Sequence, residues 1–192
     1  MGRRVERNFE HGTYKAEFVK EMKPLSQDRK TQFIPDAPPE KMAALAGRTL
    51  GIFLVEIMNA LSEKFGEEVW DVAKKAMYEV GRQRATTMVR AMKIDDLDDA
   101  RYLGRIMDLE DNNSGIKGEW VMTGEKRAVK REFSCPLAEP CEKNPKVCSV
   151  LLEAMERGTF DALGVKLKGS KVLTKIMPDG DPYCEVTLEL PD

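Results

Sequence analysis

The chain has 192 residues, 42% apolar and 33% charged, with a net charge of −2. That length suits one domain whose core needs neither disulfides nor metal for stability. The composition excludes a disordered chain, and the near-neutral balance supplies no global field for nucleic acid or an acidic membrane. Local basic pairs, Lys126-Arg127 and Lys130-Arg131, alternate with acids and read as a solvated face.

No apolar segment follows the charged stretch Met1 to Arg7, so no secretory signal is read. The most apolar run, Leu50 to Leu61, is shorter than the roughly 20 residues a bilayer requires. It also contains Glu56 and Asn59. A cytoplasmic protein without membrane insertion and without nucleic-acid partners is expected.

Residues 1–38 are polar, carry Pro24, Pro35 and Pro38, and read as an N-terminal arm with one short helix from Tyr14 to Met22. The remaining residues, 39–192, read as a single domain. A helix is predicted from Pro39, where proline suits a first turn, to about Phe65, with Gly66 ending it. Met42, Leu45, Ala46, Thr49, Phe53, Ile57, Ala60 and Leu61 give it an apolar face, widened by Leu50, Leu54 and Met58. A second helix is predicted over 67–92, facing inward through Val69, Ala73, Ala76, Met77, Val80 and Met88. Arg84 falls on the same stripe. A third helix is expected over 97–109, capped by Asp95 or Asp96.

The period then changes from 3.6 to 2. Ile116, Trp120 and Met122 alternate with polar neighbours, and Val129 to Cys135 forms the second strand of a hairpin. A loop with three prolines follows, then a fourth helix over 147–158. Strands over 171–177 and 183–190 flank the turn Pro178-Asp179-Gly180-Asp181, a hairpin signal. Cys184, Val186, Leu188 and Leu190 share the inward face of the last strand. Helices first and hairpins later imply an α+β fold, with a helical layer on a four-stranded, mainly antiparallel sheet and a ligand pocket between the layers.

The four cysteines are spaced Cys135-x5-Cys141-x6-Cys148, with Cys184 near the end. This is not a paired CxxC pattern, so spacing alone does not define a metal site. The predicted elements place them at strand ends, in a loop and at a helix start, which can converge. Four thiolates would suit Zn²⁺. Three readings stay open: a zinc site using Cys135, Cys141, Cys148 and Cys184; a reactive thiol; or quiet core cysteines. Cys148 is the candidate nucleophile, because a helix N-terminus stabilises a thiolate. The single histidine, His11, lies in the arm, and a Cys–His pair would require that arm to fold back.

Arg84 could grip a substrate carboxylate through its planar fork, or simply snorkel. Glu56 interrupts an apolar run and could serve as a general base, or face solvent. Asp181 could orient a ligand, or only close its turn. Trp120 reads as core or pocket wall.

The segment Phe133-Ser-Cys-Pro-Leu, the downstream Cys148, and the ending Ile176-Met-Pro-Asp-Gly-Asp-Pro-Tyr-Cys-Glu-Val-Thr-Leu resemble the L-2-amino-thiazoline-4-carboxylic acid hydrolase family. Similar endings occur in V4R (vinyl-4-reductase) domains, which bind small molecules, some beside cysteine-held zinc. Cys135, Cys148, Cys184 and the pair Gly180-Asp181 carry the correspondence; Cys141 does so least. The resemblance implies a V4R-like fold and hydrolysis of a small cyclic amidine at a C–N bond. Either a metal-bound hydroxide or a cysteine thiolate would attack. Beside the enzyme stand two alternatives: a non-catalytic small-molecule-binding module with cysteine-bound zinc, and a metal-handling accessory protein, which would need exposed thiols. A homodimer fits the apolar helices and the arm.

Overall fold

The structure, a computed structural model, describes residues 38–192. The expected arm, with its short helix and His11, lies outside the described residues. Helix α1 spans Pro39–Phe65, α2 Glu68–Met92 and α3 Ala100–Ser114. Strands β1 (Lys117–Thr123) and β2 (Arg127–Ser134) form the first hairpin. A one-turn helix α4 (Ala138–Cys141) leads to a π-helical turn, Val147–Leu152, which runs into α5 (Glu153–Ala162). Strands β3 (Leu173–Lys175) and β4 (Cys184–Glu189) close the chain. The sheet is antiparallel with order β1-β2-β4-β3, so the two hairpins join through β2 and β4. This is the α+β arrangement expected, a helical layer on a four-stranded sheet.

The main core lies between α3, α5 and the sheet. It is built on Leu103, Ile106, Phe160, Val172, Val186 and Leu188. A second cluster joins α1, the start of α2 and the π turn through Val55, Met58, Trp70, Val147 and Leu151.

Small residues, rather than the largest apolar ones, select the buried helix faces. Gly47, Gly51, Val55 and Met58 form the buried stripe of α1. A Cβ at Gly47 would enter the carbonyl of Ser114, and one at Gly51 would press on Pro140. The stripe expected to be buried is therefore largely turned outward: Leu45 is 60% exposed and Phe53 58%. By length and composition alone, α1 is long and apolar enough to cross a membrane, which the shorter run 50–61 did not suggest. Helix α2 is corrected in the same way. It buries Trp70, Gly81, Ala85 and Met88, while Val80 is exposed. Gly81 meets the carbonyl of Met155 and Gly158 that of Tyr78, so α2 and α5 cross almost backbone to backbone.

Three boundaries differ from expectation for local reasons. Asp99, not Asp95 or Asp96, caps α3: its backbone is extended and its side chain accepts from Arg101 N. Asp96 instead accepts from Asp98 N in a turn before the helix. The proline-rich loop contains α4. Strand β3 is only three residues long and is tied to α5 by Glu153, whose carboxylate accepts from Val172 N and Leu173 N. Strand β1 is an edge, so Met122, expected inside, is 44% exposed.

Candidate functional site

Where the two core clusters meet, a cavity of about 90 Å³ opens between the helices and the sheet. At roughly 10–15 Å³ of such volume per water, it has room for about seven waters or one compact heterocycle. Its apolar wall comes from Leu50, Met107, Leu137, Leu152, Met155 and Ile176. Three thiols, Cys135, Cys148 and Cys184, line one side. Four carboxyl groups, Glu110, Asp111, Glu132 and Glu156, line another, and Lys175 is the cation among the lining residues.

The sheet register builds the junction of the two sides. Glu132 on β2 pairs directly with Cys184 on β4. Residues opposite one another in such a ladder project to the same face with Cβ atoms about 5 Å apart. Ala128 and Lys130 alternate with Glu132 on this inward face, and all three are buried. Lys130 was expected on a solvated face; it is only 4% exposed. Its Nζ lies 2.5 Å from both Asp108 Oδ1 and Asp111 Oδ2. Burial works to lower the Lys130 pKa, but those two carboxylates outweigh it and the lysine stays charged.

The close α2–α5 crossing brings Arg84 to Glu156, with Nη2 2.9 Å from Oε1. The same guanidinium contacts Glu110 through Nη1 and donates from Nε to Thr159 Oγ1. Its fork is thus filled by protein carboxylates, and it does not line the cavity. This corrects the reading of Arg84 as a substrate clamp. Burial and the neighbouring Glu110 push Glu156 well above the carboxylate range, with Arg84 opposing. Glu110 Oε2 has no hydrogen-bond partner among the described residues.

Glu132 is 5% exposed. Burial, reinforced by Asp111 and opposed by Lys130, raises its pKa to about 8. No described residue donates a hydrogen bond to it or pairs with it as an ion.

The three thiols that line the cavity are held protonated. Burial lifts Cys135 to about 12 and Cys184 to about 11. Cys141 and Cys148 share a hydrogen bond, which raises Cys148, with burial adding, and lowers Cys141. Cys148 does sit near a helix start, but in the π turn, where its N–H is already bonded to Pro145 O. The helix-terminus activation expected of it is therefore offset by burial and by its neighbour. No three His, Cys, Asp or Glu side chains among the described residues stand together as metal ligands. Cys184 Sγ instead accepts from Met177 N at 3.4 Å.

The other candidates fall outside the cavity. Glu56 is on the solvent face of α1, 4.0 Å from Lys143 Nζ, because Val55 and Met58 face inward instead. Trp120 packs against Gly104 and donates to Asp108 at 3.0 Å, so it braces β1 on α3. Asp181 accepts from Ile176 N at 2.9 Å and fixes the turn between β3 and β4. Of the residues singled out in the sequence, the cavity gathers Cys135, Cys148 and Cys184, with Cys141 buried beside Cys148. The acids it adds were missed. One signal for them was Arg84 itself, since a cation on an apolar stripe requires buried carboxylate partners.

Fold and cavity together define an α+β protein with a small chamber between a helical layer and an antiparallel sheet. The fold is similar to that of a trafficking protein particle complex subunit 3 from Naegleria fowleri, solved covalently bound to palmitic acid. The TM-score is 0.57 at 11% identity, over 77% of this chain and 96% of that one. At that identity the likeness concerns the fold alone. No family model and no curated protein matches the chain.

Proposed function

We propose that the protein is a small-molecule hydrolase of the aminothiazoline-carboxylate type, working in the cavity lined by Glu132. The observation that carries this reading is the placement of a buried carboxyl group, unpaired among the described residues, and neutral thiols around one heterocycle-sized space. A carboxyl with a pKa of about 8 can both take and return a proton near neutrality. Water attacks the amidine carbon while Glu132 takes its proton. The same group then protonates the departing nitrogen as the C–N bond breaks. Lys175, at the cavity wall with its Nζ 2.7 Å from Tyr183 Oη, is placed to hold the substrate carboxylate. The thiols keep their protons and shape the wall. The resemblance in Cys135, Cys148, Cys184 and Gly180-Asp181 supports the same location.

The test is incubation of the protein with 2-aminothiazoline-4-carboxylate, following loss of the ring by chromatography and the appearance of the free primary amine that cleavage of the ring C–N bond releases. Ring opening that depends on protein concentration is expected. No turnover at any pH between 6 and 9 overturns the hydrolase reading.

A second reading is a V4R-like binding module holding zinc through Cys135, Cys141, Cys148 and Cys184. It is favoured by the gathering of the four thiols near one spot, although a shift of side chains would be needed for ligation. Metal content of protein purified without a metal-affinity step, compared with that of Cys148→Ser, tests it. The metal-carrier reading called for exposed thiols, and none of the four is exposed. A long acyl ligand, as in the structural neighbour, would need a channel larger than about 90 Å³.

A further inference from the structure

Within the cavity, the charges do not balance. Glu110, Asp111, Glu132 and Glu156 face it, and the cations beside them are the half-buried Arg84 and the buried Lys130. Arg84 is taken by Glu110 and Glu156, and Lys130 by Asp108 and Asp111. Glu132 is left over. It is buried, it lines the cavity, and no described donor reaches it. A buried carboxyl without a partner costs free energy, and a ligand that supplies the missing donor recovers it. Anions are disfavoured at this inner end, because both nearby cations are already neutralised.

We propose that the inner end of the cavity is a receptor for a cationic nitrogen, with Glu132 as the carboxylate that anchors it. The proposal rests on the reading that this cavity is the ligand site, and it narrows the ligand to amidines and amines that carry charge. The cation's N–H groups would donate to Glu132, and the apolar wall of Met107, Leu137 and Ile176 would hold the body of the ligand.

Binding of a cation ionises Glu132, so it releases a proton. The groups that set this titration face Glu132 from every neighbouring element: Glu110 and Asp111 on α3, Lys130 on β2, Glu156 on α5 with Arg84 of α2 behind it. Cys135, Cys148 and Cys184, together with Lys175 of β3, complete the shell. Burial raises Glu132 to about 8, between the two pH values at which the probes are compared.

The experiment is calorimetry with benzamidine, always cationic in this range, and benzamide, its neutral isostere. Both are titrated into the full chain at pH 7 and 8.5, in two buffers of different ionisation heat. Benzamidine is expected to bind at least ten-fold more tightly than benzamide at pH 8.5. Its affinity should fall roughly ten-fold at pH 7, where Glu132 holds its proton, with close to one proton released per ligand. Glu132→Gln should abolish both the preference and the proton release. Equal binding of the two probes, no binding of benzamidine, or an unchanged Glu132→Gln variant would overturn the proposal. The probe comparison on the unaltered protein stands even if that variant does not fold. Benzamidine selectivity without thiazoline turnover removes the hydrolase reading and keeps this one; turnover without selectivity does the reverse.

Discussion

Glu132 and Cys184 stand directly opposite one another on β2 and β4, so the acid and the thiol sides of the cavity meet at one rung of the sheet. The rung is held by the backbone ladder, not by the side chains themselves. Changes at either position should therefore alter the chemistry of the cavity more than the fold.

Glu132→Gln should stabilise the protein at alkaline pH. The folded-state pKa, about 8, lies above the ordinary value of 4.5. The folded chain thus keeps a proton that the unfolded chain has lost, and stability falls as pH rises from about 4.5 to about 8, then levels. The full effect is up to about 5 kcal/mol. Urea unfolding between pH 5 and 9 should show that the variant lacks this decline and exceeds the parent most clearly at pH 9.

Arg84→Ala should be strongly destabilising. It leaves Glu156, 4% exposed, and Glu110 without their shared cation. Removing one partner of such a buried pair costs about 3–5 kcal/mol. Adding Glu156→Gln should recover part of that loss, because the stranded charge is then gone. Denaturant midpoints of the single and double variants check both statements.

Gly81→Ala should loosen the α2–α5 crossing, since the new Cβ would run into the carbonyl of Met155. A loss of about 1–3 kcal/mol is expected from overpacking. A looser crossing also moves Arg84 relative to Glu156, so a thermal midpoint should drop with a loss of ligand affinity.

Cys135 and Cys184 should react slowly in the native protein. With pKa values of about 12 and 11, against 9.0 for an ordinary thiol, their thiolate fractions at pH 8 are lower by roughly 10³-fold and 10²-fold. Mass spectrometry after iodoacetamide treatment should find both unmodified under conditions that alkylate all four cysteines in urea. A ligand in the cavity should slow Cys184 further.

Much of the architecture was legible in the residues. The shift from period 3.6 to period 2 near residue 116 announced helices followed by hairpins, and Pro39 and Gly66 bounded α1. The helix faces were not legible. Counting large apolar residues chose Leu45 and Phe53, whereas packing chose Gly47 and Gly51, where backbones can approach. The cap of α3 was obscured by four aspartates within five positions, 95, 96, 98 and 99, of which only local backbone conformation selects Asp99. At the site, Cys135, Cys148 and Cys184 were found because their element ends converge. Glu132 was not, because Ala128-Val129-Lys130-Arg131-Glu132-Phe133 alternates without an obvious inward face. Only pairing with β4, whose Cys184, Val186 and Leu188 face inward, assigns Lys130 and Glu132 to the interior.

The central claim is that Glu132 performs the proton transfers on a ligand held in this cavity. Steady-state turnover of 2-aminothiazoline-4-carboxylate by the parent and by Glu132→Gln tests it most directly. A fall in kcat of about 10²–10⁴-fold is expected in the variant, with the fold intact by circular dichroism. A Glu132→Gln enzyme that keeps the parent kcat would contradict it.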